Sequence, residues 1–274
     1  MEKWICCTCG TQFGEMDGQP EACPICEDER QYVKEAGQAW TSLNTLIRSG
    51  QLKNDILQEE RGIYSITTKP GFAIGQTAYL IQTEAGNVLW DCITYLDEET
   101  IAKVQELGGI NAIALSHPHY YSSQVEWAEA FGCPVYIHED DSQWVMRNSE
   151  NIRFWSGEHH ELFGGITLSR LGGHFKGGAV LNWEAGKNGK GILFSGDIIQ
   201  VVADRNWVSF MYSYPNSIPL PSKKVREIQQ KISSIDFDRL YGAFHRIIRD
   251  DAKISVINSA QRYISALEGT LFET

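Results

Sequence analysis

The chain has 274 residues, 24 Lys+Arg against 35 Asp+Glu, a formal net charge of −11, and 42% hydrophobic against 22% charged residues. This is the balance of an ordinary globular protein, long enough for one large domain plus a small module. The excess of acid excludes nucleic acid as the expected partner, and the longest basic run, "SKKVR" at Ser222–Arg226, reads as the solvated face of a short helix.

The N-terminus, "MEKWICCTCG", has neither the apolar core nor the cleavage site of a secretion signal. No stretch of the chain approaches the roughly 20 apolar residues of a bilayer span. A cytoplasmic protein with no membrane partner is expected. Five of the seven cysteines lie within the first 26 residues, and in a reducing compartment such clustering points to metal rather than disulfides. Cys6 and Cys9 form one C-x-x-C knuckle, and Cys23 and Cys26 form a second. Four thiolates at that spacing suit tetrahedral zinc or iron. Gly10 follows the first knuckle, where a left-handed turn favours glycine, and Pro24 stiffens the second. Cys7 is read as a non-ligand. A segment of about 35 residues cannot fold on its own apolar core, and metal would supply on the order of 10 kcal/mol.

These motifs, "WICCTCG" and "PEACPIC", resemble the rubredoxin-like domain of rubrerythrins and zinc ribbons in general, over residues 3 to about 33. The resemblance implies a four-thiolate site: an electron carrier if it holds iron, a structural or docking module if it holds zinc. Zinc is the expected metal, because no flavin-binding domain follows.

Residues 1–35 are thus taken as the module, 36–58 as a helical linker and 59–274 as the large domain. In the large domain "GIYSITTKP" and "GQTAYLIQTEAGNVLWDC" predict strands. "EETIAKVQELGG" predicts a helix ended by Gly108 and Gly109, "INAIALS" a buried strand, "SSQVEWAEAFG" a helix and "PVYIHED" a strand. "ITLSRLGG", "GAVLNWEAG" and "GKGILFSGD" are strand-like, "SKKVREIQQKISS" is a helix, "RLYGAFH" a strand and "DDAKISVINSAQRYISALEGT" a terminal helix. Strands with interspersed helices predict a layered α/β fold.

Potential ligands recur at or near strand ends, where a rigid scaffold meets an exposed loop. His117 and His119 follow "NAIAL", and an extended H-x-H points both imidazoles the same way. His174 lies in "LGGHFKGG", whose glycines let the backbone pass close to its surroundings. Asp197 ends "GILFSGD", and His245 ends "LYGAF".

This ordered set resembles the metallo-β-lactamase superfamily, a four-layer αββα fold, over roughly residues 60 to 250. "VLWDC" resembles the family's early strand ending in Asp, "SHPHYYS" stands in the place of H-x-H-x-D-H, "GGHFKGG" resembles G-H-T-x-G, and "LFSGD" and "AFH" complete the order. The resemblance implies a three-imidazole site of His117, His119 and His174. Asp197 would bind that metal and reach towards a second, His245 would belong to the second site, and Asp91 would be structural. The chain departs from the family at Tyr121 and Ser122, where Asp and His would stand. A two-metal site is not expected, because a neutral tyrosine is a poor ligand. The surviving set favours zinc, with iron as the alternative.

Tyr121 and Asp197 are the candidate catalytic residues, with Tyr121 donating to a developing oxyanion or else only filling space. His138 reads as structural, and His159 and His160 as a turn. Cys92 and Cys133 read as buried small hydrophobes. The aromatic segment "NWVSFMYSYPNSIPLP" walls a substrate pocket or makes a core or homodimer contact. The expected function is a mononuclear metal-dependent hydrolase acting on a small ester, thioester or lactone. The alternatives are a non-haem iron redox or sulfur-oxidising enzyme served by the rubredoxin-like module, and a non-catalytic metal-binding module.

Overall fold

The computed structural model describes residues 1–273. The chain divides into two compact units, Met1–Trp155 and Ser156–Thr274. No helix among the described residues is long and apolar enough to cross a membrane.

The first unit opens with β1 (Glu2–Cys6) and β2 (Gln12–Met16), followed by the single turn α1 (Pro24–Glu27) and by β3 (Trp40–Ser42). These strands form a small antiparallel sheet in the order β2-β1-β3. Trp40–Ser42 pairs with the second edge of β1, so this small sheet includes residues beyond 35. Its core is Phe13, Ile25 and the four knuckle cysteines, with Trp40, Ile74, Trp144 and Met146 packed against them. The expected linker helix is the short α2 (Leu43–Ser49), capped by Ser42 Oγ at Thr45 N and ended by Gly50 in a left-handed conformation.

A seven-stranded mixed sheet follows. It is built from β4 (Lys53–Glu60), β5 (Ile63–Lys69), β6 (Ala78–Thr83), β7 (Gly86–Trp90), β8 (Ala112–Ala114), β9 (Val135–His138) and β10 (Ile152–Trp155), in the order β10-β9-β8-β7-β6-β5-β4. The hairpins from β4 to β7 are antiparallel, and β7 to β10 are parallel. The parallel crossovers carry α3 (Glu98–Glu106), capped by the Asp97 carboxylate at Thr100 N, and α4 (Gln124–Phe131). Strand β4, "KNDILQEE", escaped the sequence reading. It is an edge strand with mostly polar residues, so it lacks the apolar alternation that marks a strand. Leu80, Leu89, Ile113, Val135, Ile137 and Trp127 are among the core residues of this unit.

The second unit contains β11 (His159–Glu161), β12 (Ile166–Arg170), β13 (Ala179–Trp183), the tight turn α5 (Gly186–Gly189) and β14 (Ile192–Gly196). Two short hairpins follow, β15 (Gln200–Val201) with β16 (Val208–Ser209), and β17 (Met211–Ser213) with β18 (Ile218–Pro219). Then come α6 (Ser222–Ser233), β19 (Arg239–Gly242), β20 (Ile247–Ile248) and α7 (Ala252–Leu267). The sheet order is β11-β12-β13-β14-β19-β20, with β14 and β19 parallel. His159 and His160 thus lie on an edge strand rather than in a turn. Val225, Ile228 and Ile232 of α6 recur at helical spacing and are buried with Leu193, Leu240, Val256 and Ile264. Lys223 and Arg226 of the basic run face solvent.

Candidate metal centre

The C-terminal ends of β7 and β8 organise the first half of the site. Asp91 follows β7 with a left-handed φ of +59° and is 1% exposed. Its Oδ1 accepts a 2.7 Å hydrogen bond from Ser116 N, and its own N–H donates to Ala114 O at 2.9 Å. Asp91 therefore ties the end of β7 to the backbone immediately before His117. His117 is extended (φ −172°), but Pro118–Tyr120 form a single turn of 3₁₀ helix. The H-x-H pair is thus not a continuous strand, because the turn starts at the proline. The His117 and His119 rings nonetheless meet, with centroids 5.2 Å apart. Ser116 Oγ lies 2.8 Å from His117 Nδ1, which directs Nε2 as the other ring nitrogen available to a metal.

His174 and Asp197 form the second half. Gly172 and Gly173 have φ of +70° and +92°, and a Cβ on Gly173 would stand 2.9 Å from Leu220 Cδ1. The expectation of a close backbone passage beside His174 corresponds to this packing. His174 Nδ1–H donates to Tyr212 O at 2.7 Å, with Met211 O at 3.2 Å. This fixes the tautomer and leaves Nε2 as a ligand, 3.9 Å from Asp197 Oδ1. Tyr214 Oη donates to Asp197 O at 2.8 Å. Its burial, with the Asp197 charge adding, pushes the Tyr214 phenol well above its ordinary range. The aromatic segment after Asp197 thus holds both ligands through backbone carbonyls and one phenol. Sequence reasoning assigned it a pocket wall or a contact and missed this support, since backbone acceptors carry no sequence signal.

One ligand atom from each of His117, His119, His174 and Asp197 lies within 4.8 Å of the others, and all four residues are buried. Three imidazoles and one carboxylate are a donor set that fits zinc or non-haem iron. His245 does not belong to this group. It is exposed in the turn after β19, with φ of +53°. Tyr121 packs in the apolar core of the first unit, 2% exposed, and burial pushes its phenol well above the usual range. Ser122, in a left-handed conformation (φ +46°), accepts from Gln76 Nε2 at 2.9 Å and donates to Cys92 O at 3.4 Å. Cys92 and Cys133 are buried among apolar neighbours. His138 accepts from Asp140 N and stacks edge-on against Trp155, a structural arrangement.

The second cluster is Cys6, Cys9, Cys23 and Cys26, all buried. Cys6 Sγ–Cys26 Sγ and Cys9 Sγ–Cys23 Sγ are each 3.6 Å apart. A tetrahedron with metal–sulfur bonds of about 2.3 Å has edges of about 3.8 Å, so the sulfurs already stand near metal-binding spacing. Hydrogen bonds among the thiols hold Cys6 far below the usual thiol range and push Cys9 and Cys26 far above it. Gly10 has φ of +84°, as a glycine after the knuckle predicts, and Thr8 N points at Cys6 Sγ at 3.4 Å. Cys7 is not part of the cluster.

The metallo-beta-lactamase superfamily profile matches residues 72–243, more than half of the chain. The protein is a member of the metallo-β-lactamase superfamily. Its two mixed sheets form the family's α/β fold, to which the N-terminal segment adds a small sheet with the four-cysteine cluster. The chain is 59% identical over 274 residues, the whole of both chains, to "Uncharacterized protein YmaE" of Bacillus subtilis (strain 168). Among solved structures, VMB-1 superposes with a TM-score of 0.59 at 13% identity, covering 78% of this chain and 98% of its own. The DIM-1 metallo-β-lactamase gives 0.58 at 14% identity, covering 76% and 97%. At such identities these two superfamily structures share the fold with this chain.

Proposed function

We propose that this superfamily member is a mononuclear metal-dependent hydrolase acting on a small ester, thioester or lactone. The observation that carries the reading is the buried convergence of His117, His119, His174 and Asp197. Metal held by this set would supply Lewis acidity, polarising a carbonyl and activating water near neutral pH. The chain's own residues preset the donors. Two backbone carbonyls hold the His174 tautomer, Ser116 orients His117, and Tyr214 anchors the Asp197 backbone. Asp197 also brings negative charge to the cluster.

A single metal is favoured because the positions of the family's further ligands serve other purposes. Tyr121 is a core residue, the Ser122 hydroxyl is engaged by Gln76 and Cys92, and His245 is exposed and outside the four-residue cluster. Zinc is the proposed metal at both clusters, and iron fits either donor set. The test is turnover of an ester, thioester and lactone panel by zinc-loaded protein beside His117→Ala. Hydrolysis lost in the variant supports the reading. Equal background rates for the two proteins reject it.

A further inference from the structure

The four-cysteine module rests on the segments that follow β7 and β8, which carry Asp91 and His117. Gln12 N donates to Ser122 O at 3.0 Å, and Thr94 Oγ1 donates to Gly10 O at 3.1 Å. Gln12 Nε2 reaches Glu126 Oε1 at 3.1 Å, while Arg147 Nη1 bonds both Gln12 Oε1 (2.5 Å) and Glu126 Oε1 (2.7 Å). Gly14 N donates to Met146 O at 3.2 Å. The two supported segments are themselves joined, since Ser123 Oγ donates to Thr94 O at 2.8 Å.

Ser122 is the critical point. It lies three residues after His119, and its left-handed backbone (φ +46°) is a conformation that a non-glycine residue keeps only when its surroundings impose it. Gln12 holds its carbonyl, and Gln76 and Cys92 hold its hydroxyl. Gln12 opens β2 three residues beyond Cys9, directly after a loop closed by Gly10 N→Cys6 O (2.8 Å) and Cys6 N→Thr11 O (3.0 Å). Metal held by the knuckles would fix that loop. The module's own apolar core is Phe13 and Ile25 beside the cysteines, with only Met16 and Trp40 of its sheet packed against them, too small to keep the loop folded without metal. The fit at the contact is close. A Cβ on Gly10 would stand 2.2 Å from Thr94 Oγ1.

We infer that the four-cysteine module buttresses the turn carrying His117 and His119, so that metal held by the cysteines tightens metal binding at the histidine cluster. Gly10 and Gln12 are then positioning residues for a site they do not touch. Because linkage is reciprocal, metal at the histidines tightens the cysteine site by the same factor. The inference rests on the reading that both clusters hold metal.

The test uses the full chain with zinc in the cysteine site and cobalt titrated into the histidine site against a competing chelator. Ligand-field absorption reports the histidine site, and thiolate-to-cobalt charge transfer in a parallel fully cobalt-loaded sample reports the cysteine site. Gln12→Ala keeps the backbone N–H bond to Ser122 O but removes the side-chain bonds to Glu126 and Arg147 that hold Gln12 in place. Gly10→Ala drives the knuckle off Thr94. Both keep all four thiols. The expected result is cobalt affinity at the histidines weakened by about tenfold in each variant, with the thiolate signal retained. Cys9→Ser/Cys26→Ser should weaken it further, and if that variant does not fold, the first two decide. Unchanged histidine-site affinity in folded Gln12→Ala and Gly10→Ala would overturn the inference and leave the metal reading standing. Wild-type protein that takes up no cobalt at the histidines would overturn both.

Discussion

Replacing Asp91 tests how the site is held, because one side chain does two separable jobs. Its carboxylate accepts from Ser116 N at 2.7 Å in a position 1% exposed, and its backbone sits at φ +59°. In Asp91→Ala the buried Ser116 N–H loses a charged acceptor, which costs about 1.5–3 kcal/mol. Alanine in the left-handed region adds about 1 kcal/mol. The sum is about 3 kcal/mol. For a unit the size of Met1–Trp155 this lowers Tm by about 6–12 °C. Asparagine keeps an acceptor oxygen and tolerates the left-handed backbone, so Asp91→Asn should lose less than half as much. Thermal melts followed by circular dichroism measure both, and chelator competition shows whether His117, one residue beyond Ser116, still binds metal at full affinity. Equal melting temperatures for wild type, alanine and asparagine variants would refute the claim that this bond holds the β8 end.

Arg147, its guanidinium side chain 8% exposed, pairs with Glu126 and Glu129. Arg147→Ala should cost about 2–3 kcal/mol, below the full value of a buried pair because Glu129 is half exposed, and urea unfolding reads the loss. Burial pushes the Glu126 carboxyl up, but Arg147, Lys3 and the Gln12 hydrogen bond outweigh it and hold it below its ordinary range. A depressed carboxyl stabilises the fold above its unfolded pKa, about 4.3, and the gain disappears as pH falls through the lower folded value. The stability gap between wild type and Glu126→Gln should therefore narrow on acidification below about pH 4, and a gap that widens would contradict the assignment. Tyr121→Phe should leave turnover unchanged, since Tyr121 is a core residue, and loss of turnover at retained metal content would restore it to the catalytic set. Tyr214→Phe removes the bond to Asp197 O, and its metal affinity should fall, as chelator competition would show.

Much of this arrangement was legible in the sequence. Strand ends leave a mark when an apolar run stops at a charged or imidazole residue, and that mark located Asp91, His117 and Asp197. The double C-x-x-C located the cysteine cluster, and Gly10 and Gly173 marked backbone conformations that only glycine adopts easily. Three features were hidden for physical reasons. Strand β4 is a polar edge with little apolar alternation. Strand β11 has three residues, two of them histidines, and was read as a turn. The supports of His174 are the Met211 and Tyr212 carbonyls, which any residue would provide. The order of motifs carried His245 into the expected ligand set, yet the chain turns at that residue and leaves it exposed. Tyr121 reads from the sequence as an oxyanion donor or a space-filling residue, and its burial in the apolar cluster of the first unit favours the second.

The most direct test of the central claim is element-specific metal analysis of the intact protein beside His117→Ala/His119→Ala and Cys6→Ser/Cys9→Ser. The account predicts one metal ion at each cluster, with the histidine variant losing its ion while keeping the thiolate-bound one. A histidine variant with the metal content of wild type would mean that the buried His117, His119, His174 and Asp197 hold no metal, and the hydrolase reading would fall with it.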